Sequence, residues 1–206
     1  PDYESIRDFS RECFVPFCVG GGICNIEQIR QLLRAGADKV SVNSAAIRNP
    51  ELIRQMGRVI AIEASAQGAH IGYGPVLDLA RDPRWSRVEE TYGEDPYLNG
   101  AMGTALVRGF QGETLNDGKS VIATLKHFAS YGWTEGGHNG GTAHIGEREL
   151  EEAIFPPFRE AVGAGALSVM SSYNEIDGNP CTGSRYLLTD ILKDRWQFKG
   201  FVVSDL

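Results

Sequence analysis

Six short apolar runs alternate with amphipathic helical segments along this chain, and each run gives way to a polar or glycine-rich turn. Strands separated by helices need crossover connections, so they must lie parallel in one sheet type. The expected strands are Phe14 to Val19, Lys39 to Val42, Ile71 to Leu79, Val121 to Phe128, Leu167 to Ser172 and Phe201 to Ser204. Asn25 is placed to cap a helix, with Gln28 three residues on as its capping-box partner. Ile26, Ile29, Leu32 and Leu33 give that helix its buried stripe, and Gly36 stops it. Pro50, and Pro96 after Asp95, take the first helical position, where a missing N–H costs nothing. Pro156 and Pro157 should strain the helix marked by Leu150, Ile154, Phe155 and Phe158.

The phrases Arg34-Ala35-Gly36-Ala37 and Val162-Gly163-Ala164-Gly165-Ala166 both join helix to strand, as structurally equivalent units would. One repeated unit, with no GxGxxG after the first strand, favours a TIM-type (β/α) barrel over a doubly wound sheet. A complete barrel takes roughly 250 residues. At 206 residues the expectation is a single domain, residues 1–206, with about six β/α units and an incomplete barrel. The first and sixth strands, Phe14 to Phe17 and Phe201 to Val203, are then open edges, and Pro16 blunts only the first. Self-association through those edges is expected.

A net charge of −7 argues against nucleic acid or an anionic membrane as partner and leaves room for a neutral, hydroxyl-rich ligand. No apolar run approaches the roughly 20 residues of a membrane span. The chain opens on Pro1 with no leader pattern, which reads as a processed or excised sequence. Cys13, Cys18, Cys24 and Cys181 contain no CxxC pair and are expected as buried free thiols. Neither a metal site nor a cofactor is implied.

In a β/α barrel the active face lies at the C-terminal ends of the strands. Here those ends read Gly20–Gly22, Asn43-Ser44, Asp78, Lys126-His127, Tyr173-Asn174 and Asp205. Lys126 and His127 are adjacent and would point to opposite faces of a regular strand, so both reach a ligand only where the strand bends or ends. In the loop Arg84-Trp85-Ser86-Arg87, Arg suits a bidentate grip and Trp offers a face for a sugar ring. A surface ion network with Glu89 and Glu90 is the competing reading. Asp205 suits a covalent nucleophile or a general base, and a helix N-cap is equally compatible with its place. His138 and His144 match no metal-ligand spacing and are read as loop residues.

From Asn49 to Leu206 the chain resembles the catalytic barrel of glycoside hydrolase family 3, which includes β-glucosidases and β-xylosidases. The matching phrases are Asp82-Pro83-Arg84-Trp85-Ser86-Arg87, Glu94-Asp95-Pro96-Tyr97, Lys126-His127-Phe128, Met170-Ser171-Ser172-Tyr173-Asn174 and Gly200-Phe201-Val202-Val203-Ser204-Asp205. The resemblance implies retaining hydrolysis of O-glycosyl bonds with Asp205 as nucleophile. It further implies that Arg87, Lys126 and His127 hold the sugar and that Tyr173 lines the subsite. Ser86 stands where the family usually has Gly, and Leu206 where many members have Trp. Ala129-Ser130-Tyr131-Gly132 after the Lys-His pair departs from the N-acetylglucosaminidase branch.

The first 48 residues resemble another barrel, the cyclase subunit of imidazole glycerol phosphate synthase. The phrases are Val15 to Ile23 and Gly36 to Ala46, which implies phosphate binding by Gly21, Gly22, Asn43 and Ser44. The chain thus reads as a chimera with its seam near Asn49. Retention needs two carboxyl groups about 5–5.5 Å apart. Only Asp205 is convincing, with Glu135 and Glu175 near the right strand ends and the family's usual acid/base expected beyond Leu206. Impaired catalysis follows, and a non-catalytic sugar- or phosphate-binding fragment or a scaffold is the alternative. The hydrolase resemblance implies a periplasmic or secreted protein, the cyclase-like segment a cytoplasmic one.

Overall fold

The computed structural model describes residues 1–205. A helix absent from the sequence reading, α1 (Tyr3–Glu12), precedes β1 (Cys18–Gly20), and α2 (Ile26–Arg34) leads to β2 (Lys39–Ser41). The Asn25 side chain caps α2 by accepting the Gln28 N–H at 2.9 Å. Gln28 reaches back one residue further than a capping box requires, to the Cys24 N–H at 2.7 Å. Next come α3 (Ser44–Arg48), α4 (Pro50–Ala66), β3 (Ile71–Gly72), α5 (Pro96–Gln111) and β4 (Ile122–Phe128). Asp95 caps α5 through the Leu98 N–H at 3.1 Å.

The third expected strand is cut short because Pro75 has no N–H for a ladder. The chain still follows β4 irregularly, with Leu77 N–H donating to Lys126 O at 2.7 Å. Further on, α6 (Glu147–Glu149) passes into a π-helical stretch, Leu150–Ile154, and then α7 (Phe155–Gly163). There the Phe155 N–H bonds Leu150 O, five residues back. That widened turn carries the helix into Pro156 and Pro157, which cannot donate. β6 (Ser168–Ser171), β7 (Glu175–Ile176), β8 (Asn179–Pro180), the π-helix Tyr186–Arg195 and β9 (Phe201–Ser204) complete the order.

The barrel-type strands do not form one sheet. β3, β4, β6 and β9 make a parallel four-stranded sheet in that order, while β1 and β2 pair only with each other. The fold is therefore that of TIM-type α/β units in a barrel that is not closed. The expected edge at Phe14 to Phe17 is also corrected, because β1 starts at Cys18 and Phe14 lies 93% exposed ahead of it. Of the four free cysteines only Cys181 is buried; Cys18 and Cys24 are exposed.

Two of the three hydrophobic clusters among the described residues follow the two parallel sheets; the third, around Ala46, Ile53, Met102 and Ala105, joins α3, α4 and α5. The larger gathers Leu77, Leu125, Phe128, Phe155, Phe158 and Val169 between the four-stranded sheet and its helices. The smaller holds Ile23, Ile29, Leu32 and Ala37 under β1 and β2. Helices α4 and α5 approach closely, since a methyl group on Gly109 would sit 2.4 Å from Arg54 O. A small sheet, β5 (Thr142–Ala143) with β7 and β8, is built from the loops that follow β4 and β6. Its β7–β8 hairpin turns through Asp177 (φ 48°) and Gly178 (φ 84°), the Asp-Gly signature of a tight hairpin.

Candidate active site

The site grows from an irregularity in β4. Leu125 pairs with Val169 and Phe128 with Ser171, so three steps on β4 oppose two on β6. That bulge breaks the alternation of the strand just at Lys126 and His127. The Lys126–His127 peptide bond is cis. The His127 side chain is buried, at 1% exposed, between two carboxylates. Its Nδ1 lies 2.7 Å from Asp78 Oδ2, and its backbone N–H donates to the same oxygen at 3.2 Å. On the other side Nε2 is 3.6 Å from Asp205 Oδ2. Asp205 itself is set by the last ladder bond of the β6–β9 pair, its N–H reaching Ser171 O at 3.3 Å.

Aromatic rings extend the cluster. Tyr131 follows β4 and crosses the His127 ring edge-on at 4.7 Å between centroids. Its hydroxyl contacts Tyr173 and Asn139, and it receives Arg87 Nη1 at 3.4 Å. The Arg87 guanidinium is clamped by Glu90 through Nε at 2.7 Å and Nη2 at 2.8 Å, and it also lies over the Tyr131 ring. The hydrogen bond from Arg87 holds Glu90 below the usual carboxylate range, and the charges of Lys126 and His127 act in the same direction. Burial, joined by the contact with Tyr173, pushes Tyr131 up to about 12 against an opposing effect of Arg87.

Asp205, His127, Arg87 and Tyr173 are thus brought into one connected cluster, with Lys126 acting on it through charge. The Arg–Glu pairing offered as the competing reading is present too, and it orients Arg87 within the cluster. Trp85 corrects the expectation of a sugar-stacking face. It is 2% exposed, edge-on to Tyr131, with its N–H on Asn139 Oδ1 at 3.3 Å. Gly132 approaches the Trp85 ring and Gly137 the Trp85 backbone, so both loops pack closely on this residue. Asn174 is likewise buried, donating to Glu175 O at 3.1 Å.

Gly21 and Gly22 follow β1, and Asn43 and Ser44 follow β2, with Ser44 opening α3; the parallel pairing of β1 and β2 sets both loops at one end of that separate sheet. Gly21 (φ 101°) and Gly22 (φ 67°) face open space. His144 sits outside the cluster, 2.8 Å from Asp177 and 3.6 Å from Glu135. The hydrogen bond to Asp177 raises its proton affinity. Glu175 accepts the Thr142 hydroxyl. Sequence reasoning missed Tyr131 and Asn139 as site builders, and named Glu90 only in a surface ion network. For Tyr131 the available signal was its position three residues beyond a functional strand end; Asn139, in a glycine-rich loop, carried none.

Against known families, residues 30–206 match the glycosyl hydrolase family 3 N terminal domain. The chain belongs to glycosyl hydrolase family 3. A periplasmic β-glucosidase of Salmonella typhimurium is 40% identical over 81% of this chain and 22% of its own length. A β-xylosidase of Formosa agariphila is 47% identical over 80% of this chain and 23% of its own. This family 3 chain therefore spans about a fifth of the length of the curated relatives it matches.

Solved β-glucosidase structures agree in shape. A β-glucosidase from Listeria innocua in complex with laminaribiose superimposes with a TM-score of 0.73 at 42% identity, covering 74% of this chain and 22% of that one. A β-glucosidase from Erythrobacter marinus gives a TM-score of 0.74 at 42% identity over 76% of this chain and 21% of that one. The family match begins at residue 30, inside α2 and ahead of the expected seam at Asn49.

Proposed function

We propose that this chain forms the sugar-binding, nucleophile-bearing part of a retaining β-glycosidase of β-glucosidase or β-xylosidase type. The observation that carries the reading is Asp205 at the end of β9, 3.6 Å from His127 Nε2 and adjoining the Arg87–Tyr131–Tyr173 cluster. Asp205 attacks the anomeric carbon, and the bond to the leaving oxygen breaks as the glycosyl ester forms. Water then hydrolyses that ester. Arg87, Lys126 and His127 hold sugar hydroxyls, and Tyr173, 41% exposed, lines the subsite. The names of the relatives above support a carbohydrate substrate, and the Salmonella protein supports a periplasmic or secreted location.

The carboxyl that protonates the leaving oxygen comes from a part of the protein other than these residues, since Glu135 and Glu175 are engaged with His144 and Thr142. An aryl glycoside whose leaving group needs no proton should therefore react faster than a natural disaccharide. The test is trapping with an activated 2-deoxy-2-fluoro-β-glucoside and peptide mapping. The adduct is expected on Asp205, and labelling of a different carboxylate overturns the assignment.

A second reading concerns residues 1–48 as cyclase-like units within one barrel domain, joined to family 3 units from residue 49. Its support is the phrases Val15 to Ile23 and Gly36 to Ala46; another Listeria innocua β-glucosidase structure, which covers 100% of this chain at 28% identity and a TM-score of 0.73, supports only the barrel-type shape of those units. Shape likeness reaches the N-terminal units while sequence likeness falls. On this reading Gly21, Gly22, Asn43 and Ser44 bind a phosphate group through exposed backbone and side-chain donors. Inorganic phosphate should raise the melting temperature by binding the folded state, and no shift at roughly tens of millimolar removes the site.

A further inference from the structure

We infer that Asp78 is a positioning residue that fixes the ring tautomer and orientation of His127; this rests on the functional reading of Asp205 and His127 above. Asp78 is 3% exposed, and a buried carboxylate needs compensating donors. Both donors that Asp78 receives here come from one residue, the His127 backbone N–H at 3.2 Å and the ring Nδ1 at 2.7 Å, on a single oxygen. Asp78 Oδ2 already accepts the His127 backbone N–H, so Nδ1 is the donor of the second bond and carries the ring proton. The ring cannot flip without breaking that short bond. Nε2 is thereby aimed at Asp205, at 3.6 Å. That spacing is too long for a direct hydrogen bond.

The β4 bulge makes this arrangement possible, because it turns His127 towards the end of the third expected strand, where Asp78 sits. Tyr131, edge-on to the imidazole, closes the remaining side. Asp78 touches no reacting atom; its effect passes through His127.

The experiment compares the chain with Asp78→Asn, reading the ¹⁵N shifts of the His127 ring and the concentration dependence of Asp205 labelling by the 2-deoxy-2-fluoro-β-glucoside. The unsubstituted chain should show a protonated Nδ1. In Asp78→Asn the ring should populate the other tautomer, and labelling should need roughly tenfold to a hundredfold more probe, as for loss of a hydrogen bond to a charged group. A ring tautomer and labelling curve both unchanged in Asp78→Asn overturn the role. So does an unprotonated Nδ1 in the unsubstituted chain, a measurement that stands if the variant fails to fold. If Asp205 takes no label even without substitution, the glycosidase reading fails, and the tautomer data alone decide the role of Asp78.

Discussion

The β1–β2 sheet and the β3–β4–β6–β9 sheet are built from the same strand–helix unit, yet they hide very different amounts of themselves. Every residue of β6 is buried and five of seven in β4, whereas β1 and β2 each bury none. The difference lies in neighbours. β4 and β6 are paired on both sides and packed against the main core, which parallel strands require. β1 and β2 have one partner each and a small core of their own. The chemistry follows the same division. The bulge and His127 depend on a strand locked between two others, Asp205 ends the outer strand β9, which pairs with β6, and Gly21 and Asn43 follow strands of a pair with two free edges.

The sharpest way to break that comparison is catalytic. Asp205→Asn should abolish fluorosugar labelling and lower aryl-glycoside turnover by at least roughly 10⁴-fold, the scale seen when a nucleophile is removed. Persistent turnover would place the reactive group elsewhere. A second test is thermodynamic. Leu125 and Leu32 are both 0% exposed, one in each core. Leu125→Ala should cost about 2–5 kcal/mol of the main unfolding transition. Leu32→Ala should instead speed amide exchange in β1 and β2 while sparing β4 and β6. Equal effects on one transition would show the two sheets to be a single cooperative unit.

The open edges offer a third test, through self-association. Val202 packs against the main core, so a charge there would damage the fold, but Phe201 is 42% exposed on the outer strand. Phe201→Lys should shift light-scattering mass towards the monomer. A monomer before substitution would mean that β9 is not an association edge.

The smallest expected effect is that of Tyr131. Its folded-state value is raised from 10.0 to about 12, so its contribution is complete below pH 10 and is lost as pH rises through about 12. Alkaline denaturation should show a loss of stability as pH rises from 10 towards 12 that is absent in Tyr131→Phe. Identical pH profiles would remove Tyr131 from the cluster around His127.

Much of this architecture was legible in the residues themselves. Asn25 and Asp95 announced their helices because capping is a local bargain between one side chain and the next turn. The ends of β4, β6 and β9 were readable because apolar runs stop where polar ones start, which led to His127, Tyr173 and Asp205. The β7–β8 hairpin was also within reach, in Asp177-Gly178, though its strands are only two residues each.

What the tertiary structure alone decided are the relations between distant segments. No local pattern says that β2 and β3 fail to pair, since a ladder depends on where α3 and α4 leave the chain. The bulge at Lys126-His127 exists only against the register of β6. The bond from Asp78 to His127 joins residues 49 positions apart, and Trp85 became a buried ring because Gly132 and Tyr131 of another loop close over it. Local propensities and hydrophobic periodicity act over one or two turns of chain, so they set the elements and their polar ends. Which ends meet, and which edges stay open, is settled by packing between elements that the sequence lists far apart.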